Sequence, residues 1–192
     1  MKRPIAGEKR VKFEAYGRKV FLQDFILPNG VKDEFFVIES KSSVIIFPIT
    51  SEGKIIVLRQ FRYGINDFVF EFPGGGNKSG QNFKEAAIEE LLEETGYFPL
   101  KMIRLPDFIF EPAAFRFQFV CFLALGCGKV RKPLLDKTEI IQVKLFSWQK
   151  WCRTIFGKNN RVSVDSKTLV MTLLALPYLK GWELEYEGKP IV

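Results

Sequence analysis

From Phe70 to Tyr97 the chain reads FEFPGGGNKSGQNFKEAAIEELLEETGY, with five glutamates, Glu85, Glu89, Glu90, Glu93 and Glu94, close together after a glycine-rich turn. Like charges three or four residues apart destabilise a helix by about 0.2–0.5 kcal/mol per pair, so such crowding suggests a missing cation. On a helix, Glu90, Glu93 and Glu94 project from one side, while Phe83, Ala87 and Leu91 form an apolar stripe elsewhere. Carboxylate oxygens are hard ligands and suit Mg²⁺ or Mn²⁺, which are held by a few carboxylates, waters and substrate phosphate oxygens. The alternative is a solvent-facing acidic helix face with no ligand, and the run alone does not choose between them. Pro73, Gly74, Gly75 and Gly76 tip the reading towards the metal, because glycines let the backbone turn tightly and present carbonyls to the same place.

The elements that must position these groups are legible in outline. Asn82 followed by Glu85 has the pattern of a capping box, and Gly96 supplies a C-terminal stop, so the spacing predicts a helix from Phe83 to Thr95. Alternation and β-branched or aromatic enrichment predict strands at VKFEAY, KVFLQDFIL, EFFVIE, SSVIIFPIT and KIIVLRQFRY, separated by turns at Tyr16-Gly17, Asn29-Gly30 and Glu52-Gly53. KMIRLPDFIF, FRFQFVCFLALG and IIQVKLFSW read as further strands. SWQKWCRTIF and DSKTLVMTLLALPYL read as helices, the latter with Asp165 as N-cap. This order of elements predicts an α/β (α+β) fold: a mixed sheet sandwiched between helices, preceded by an N-terminal antiparallel β unit over residues 1–40, with the main domain at 41–192.

Composition narrows the chemistry. The 192 residues contain no histidine, which removes Ser/His/Asp hydrolases, Cys/His nucleophiles and HExxH zinc enzymes. Proton transfer must then use Glu, Asp, Lys, Tyr, Cys or water. Cys121, Cys127 and Cys152 lack the paired spacing of a zinc site and read as buried thiols. No apolar run reaches the ~18–20 residues of a membrane span, and the basic start MKRPIAGEKRVKF is not followed by a secretory signal, so the expected location is the cytoplasm. The net charge is +7, but lysine and arginine are spread along the chain. The clusters Lys2–Lys12 and Lys129–Lys137 lack interleaved aromatics and read as solvated surface rather than a nucleic-acid footprint.

Gly75, Glu90, Leu91, Glu93, Glu94, Gly96 and Tyr97 stand at the spacing of the Nudix box, G-x5-E-x7-R-E-U-x-E-E-x-G-U, and the segment resembles that family. Two positions depart: Gln81 stands where the box has its first glutamate, and Glu89 where it has arginine. In the family these side chains form a salt-bridged brace between loop and helix; a neutral Gln81 can still donate an amide hydrogen bond to Glu89. The likeness covers about three quarters of the chain. VIIFPITSEGKIIVLRQFRYGINDFVFEFPGGG is similar to the segment that precedes the box in ADP-ribose pyrophosphatases and related nucleoside-diphosphate-sugar hydrolases.

That resemblance implies roles residue by residue. Glu90, Glu93, Glu94 and the carbonyl of Gly74 would be metal ligands, with Mg²⁺ or Mn²⁺ as cofactor. Gln60, Arg62 and Glu71 belong to the substrate-binding segment, Arg62 contacting the diphosphate; Arg62 read as a plain strand-end charge, and Glu71 as a buried partner of Arg62, are the alternatives. Glu139, in TEIIQV, is the candidate catalytic glutamate alongside Glu93, with Asp136 and Glu111 behind it. Phe13, Tyr16, Phe21 and Phe25 are candidates to stack a base. The implied activity is metal-dependent cleavage of ADP-ribose or a related nucleoside-diphosphate sugar by a homodimer paired through its N-terminal β unit. A nucleotide sensor with little catalysis and an RNA 5′-end pyrophosphohydrolase are the competing expectations.

Overall fold

The computed structural model describes residues 1–78, 80–157 and 163–179, together with the backbone of 185–186 and 189–190. In chain order the strands and helices are β1 (Ile5–Ala15), β2 (Arg18–Ile26), β3 (Lys32–Ser40), β4 (Ser43–Thr50), β5 (Ile55–Arg62), β6 (Asp67–Glu71), α1 (Phe83–Thr95), β7 (Tyr97–Phe98), β8 (Lys101–Arg104), β9 (Phe108–Ile109), β10 (Phe115–Arg116), β11 (Gln118–Lys129), β12 (Ile141–Phe146), α2 (Trp148–Phe156), β13 (Ser163–Val164), α3 (Ser166–Ala175), β14 (Glu185–Tyr186) and β15 (Lys189–Pro190). They form two compact units, Met1–Ser43 with Phe108–Phe119, and Val44–Asp107 with Val120–Val192.

In the N-terminal unit β1, β2 and β3 form an antiparallel meander. Its first hairpin turns on Tyr16 and Gly17, both at positive φ (50° and 72°), the backbone that a two-residue hairpin loop requires. β3 then pairs in parallel with β10, Phe115 opposite Ile38 and Arg116 opposite Glu39. Phe21 is 2% exposed, beneath the cations of Lys9 and Arg116. Its ring belongs to the core of this unit and is not available to stack a base; Phe13 and Tyr16 are exposed.

The second unit is built on a mixed sheet with the order β13-β6-β5-β4-β11-β7. β5 pairs antiparallel with β6 and with β12, while β13 joins β6 in parallel. β4 is buried along nearly its whole length because both faces are covered. Val44 and Ile46 pack with Ala86, Ala87 and Leu91 of α1. Phe47 meets Phe72, and Phe72 meets Trp151 of α2, at ring separations of 4.7 and 5.4 Å. Full burial of a side chain of this kind stabilises the fold by about 1.5–3 kcal/mol, and the expected α/β sandwich is what results. Cys121, Cys127 and Cys152 are all buried.

Four elements differ most from their sequence-based bounds. β1 begins at Ile5, six residues ahead of VKFEAY. α3 ends at Ala175 and gives way to a 3₁₀ turn at Leu176–Tyr178, because Pro177 lacks an N–H and its ring clashes with the preceding turn. KMIRLPDFIF is two strands split around Pro106, and FRFQFVCFLALG divides into β10 and β11. No helix among the described residues is long and apolar enough to cross a membrane.

Candidate active site

The site begins with α1, whose bounds are those that Asn82 and Gly96 predict. Asn82 Oδ1 accepts from the Lys84 N–H at 2.8 Å, and Gly96 sits at φ 76° with its N–H donating to the Leu92 carbonyl at 3.0 Å. The five glutamates then separate by environment. Glu85 is exposed in the first turn, Glu89 faces the loop before the helix, Glu90 and Glu93 are half-buried, and Glu94 is 6% exposed.

The glycine-rich turn is laid against β4 by two backbone bonds, Ile46 N–H to the Pro73 carbonyl (2.9 Å) and Val44 N–H to the Gly75 carbonyl (2.8 Å). A Cβ on Gly74 would stand 2.3 Å from the Val44 carbonyl oxygen, and one on Gly75 would stand 2.5–2.7 Å from the Glu90 carboxylate atoms. Gly74 needs glycine because backbone stands so close to it, whereas at Gly75 a side chain would displace the Glu90 carboxylate from its place beside the turn. The Gly74 N–H donates to Glu94 Oε2 at 2.9 Å, tying the turn to the helix.

A cavity of about 640 Å³ opens here, with Glu90, Glu93, Glu94 and Glu139 on its wall beside Gln60 and Arg62. Burial and the charges of Glu93, Glu139 and Glu89 push the Glu90 carboxyl up to about 7. Burial also holds Glu94 well above the usual carboxylate range, with Glu90 and Glu139 adding to the effect and the Gly74 N–H opposing it. Among the described residues, no three acids converge into a ready-made ion cage. The donor set nevertheless fits a hard divalent cation: four glutamates and Asp136 share one cavity, and their excess negative charge is what such an ion offsets.

Arg62 reaches the cavity from the end of β5 and is held from behind. Its Nε and Nη2 donate to Glu71 Oε1 and Oε2 at 2.5 and 2.6 Å. Glu71 is 1% exposed, so of its two possible roles the geometry gives that of buried partner to Arg62. Burial alone would raise the Glu71 carboxyl; the Arg62 and Lys167 cations more than reverse this and lower it. Gln60 is buried between Val69 and Ile141 in the sheet register. Glu139 lies in a small turn, where its Oε2 accepts from the Asp136 N–H at 2.8 Å and its own N–H donates to the Asp136 carbonyl at 3.0 Å. Tyr63 Oη donates to the carbonyl of the adjacent Thr138 at 3.1 Å. Asp136 lines the same cavity, whereas Glu111 belongs to the N-terminal unit, at a turn with φ 45°.

The altered box positions touch as expected, with Gln81 Nε2 donating to Glu89 Oε2 at 2.6 Å. An unforeseen residue joins them: Lys78 forms an ion pair with Glu89, and its N–H donates to Gln81 Oε1 at 3.0 Å. The loop therefore supplies the cation and the helix the anion. Lys167 is a second cation that the sequence does not single out. It donates to Glu71 Oε2 at 2.9 Å and pairs with Asp165. A buried Glu71 facing one arginine is the signal that a second cation was needed.

Comparisons with known proteins bear on the same segment. Residues 39–162 match the family model described as NUDIX domain. The chain is 32% identical over 126 residues to an ADP-ribose pyrophosphatase of Bacillus subtilis (strain 168), covering 65% of this chain and 68% of the relative. It is 30% identical over 178 residues to a methanol dehydrogenase activator of Bacillus methanolicus, covering 90% and 92%. A crystal structure of an ADP compounds hydrolase superposes with a TM-score of 0.81 at 18% identity, over 94% of this chain and 96% of that one, a likeness of fold.

Proposed function

The chain belongs to the Nudix family of hydrolases, and we propose that it is a metal-dependent pyrophosphohydrolase that splits ADP-ribose or a related nucleoside-diphosphate sugar into a nucleoside monophosphate and a sugar phosphate. The observation that carries this reading is the placement of Glu90, Glu93, Glu94, Glu139 and Arg62 around one cavity beside a glycine turn. The identity to an ADP-ribose pyrophosphatase supports the substrate class.

Glu90, Glu93, Glu94 and the Gly74 carbonyl would hold Mg²⁺ or Mn²⁺, which would supply charge neutralisation for the diphosphate and activation of the attacking water. Arg62 orients the diphosphate through donors not committed to Glu71. Glu139 accepts the proton of the attacking water, since no histidine is available for the task. Water adds across one P–O bond, and the bridging oxygen leaves with the other phosphate.

We further assign pairing of two copies to the N-terminal β unit, residues 1–40, where Val11, Phe13 and Phe36 are at least half exposed. The test of the whole reading is release of monophosphate from ADP-ribose, nucleotide sugars, dinucleoside polyphosphates and capped RNA, each with Mg²⁺, with Mn²⁺ and with chelator. Metal-dependent cleavage of the nucleoside-diphosphate sugars is the expected result. Binding without cleavage across the panel would overturn it in favour of a sensor, and preferential capped-RNA cleavage would replace the substrate class. Sedimentation of wild type against Phe13→Ser/Phe36→Ser tests the pairing.

A further inference from the structure

The first turn of α3 reaches the back of the site from 96 residues along the chain. Four side chains alternate in charge there: Asp165, Lys167, Glu71 and Arg62. Asp165 caps α3, its Oδ1 accepting from the Lys167 N–H at 2.9 Å, and its own N–H donates to the Phe70 carbonyl at 3.1 Å. One residue further on, Thr168 Oγ1 accepts from the Phe72 N–H at 3.1 Å. The helix thus grips β6 and the residue after it, where the chain enters the glycine turn.

We infer that Lys167 is a positioning residue of the diphosphate site, which keeps the Arg62 guanidinium in two-point contact with Glu71 and its remaining donors on the cavity. This rests on the proposed diphosphate reading for its functional consequence, but not for its geometry. The charges explain how. Lys167 is 19% exposed and lies between two carboxylates, Glu71 at 1% and Asp165 at 23%. With Lys167 present, Asp165 is satisfied and Glu71 is free to accept both Nε and Nη2 of Arg62. Without it, two weakly solvated anions compete for one guanidinium, and Arg62 divides between them. A planar fork depends on its partner's orientation in a way a point charge does not.

The test pairs turnover with a signal that needs no substrate. In Lys167→Met we expect KM for ADP-ribose to rise about tenfold with kcat within about threefold, the mark of lost binding rather than lost chemistry. Lys167→Arg should restore most of it. The Arg62 Nε–Hε resonance, assigned by its absence in Arg62→Ala, should shift and exchange with water at least about tenfold faster in Lys167→Met. Lys167→Met/Asp165→Asn removes the competing anion while keeping a competent N-cap, so it should recover the wild-type resonance; this variant also carries the test if Lys167→Met does not fold. An Arg62 resonance unchanged in Lys167→Met, or not recovered in the double variant, overturns the inference. A wild type that cleaves no diphosphate overturns the substrate reading instead and leaves the resonance test standing.

Discussion

The two ends of the glycine-rich turn are held in different ways. Upstream, Glu71 is fully buried, bonded to Arg62 and Lys167, and Gly74 is tied to the buried Glu94. Downstream, the turn is clasped to α1 by Lys78, Gln81 and Glu89, and Lys78 has 72% of its side chain exposed. A buried ion chain penalises the loss of any member, because the remaining charge cannot be hydrated. An exposed clasp is screened by water and salt, so its members can be exchanged at little cost. Both departures from the Nudix box, Gln81 and Glu89, fall at the tolerant end. The brace survives with its polarity turned around.

The contrast can be broken most severely upstream. Glu94→Gln should abolish metal-dependent turnover, at least about 10³-fold, while circular dichroism and Tm stay at wild-type values, since the amide oxygen can still accept from Gly74. Unchanged turnover would remove Glu94 from the site. Gly75→Ala pushes a methyl group against the Glu90 carboxylate, the end of a flexible side chain, and should cost about 10²-fold in kcat/KM with little loss of stability; equal activity would show that Glu90 need not stand there.

Glu71→Gln should lower unfolding free energy by about 2–3 kcal/mol, measured by urea denaturation, because it leaves two cations around a neutral buried amide. The same residue sets a pH dependence. Its carboxyl is lowered from the ordinary 4.5 in the folded protein, so its contribution is fully present above about pH 4.5 and is lost as pH falls through the folded-state value. Glu71→Gln should therefore show a shallower acid-side loss of stability than wild type, and parallel curves would contradict the pairing. Lys78→Ala, at the other end, should change Tm within experimental error, and its effect on KM should vanish at high salt. A loss matching that of Glu71→Gln would erase the contrast between the two ends.

Much of this was legible because the signals are local. Asn82, Gly96 and the stripe Phe83, Ala87 and Leu91 fix α1 within thirteen residues; the expected separation of the glutamates from that stripe does not hold, because at about 100° per residue Glu94 falls between Phe83 and Ala87 and is buried with Ala87 and Leu91. β6 and β13 are not legible in the sequence, since five and two residues offer too little periodicity. The parallel pairing of β10 with β3 depends on tertiary placement that alternation does not encode. Lys167 was hidden for the same reason: a lysine in the first turn of a helix reads as solvated charge until the fold brings Glu71 to it.

The return of Phe115–Arg116 to complete the N-terminal sheet has a consequence for how the protein is made. When Ser40 has left the ribosome, the meander is whole but the far side of β3 has no partner until Phe115 has also left it, 75 residues later. At ~5–20 residues per second that interval lasts about 4–15 s. During it the outer edge of β3 at Ile38 and Glu39 stays open, a short-lived edge for a holdase to shield.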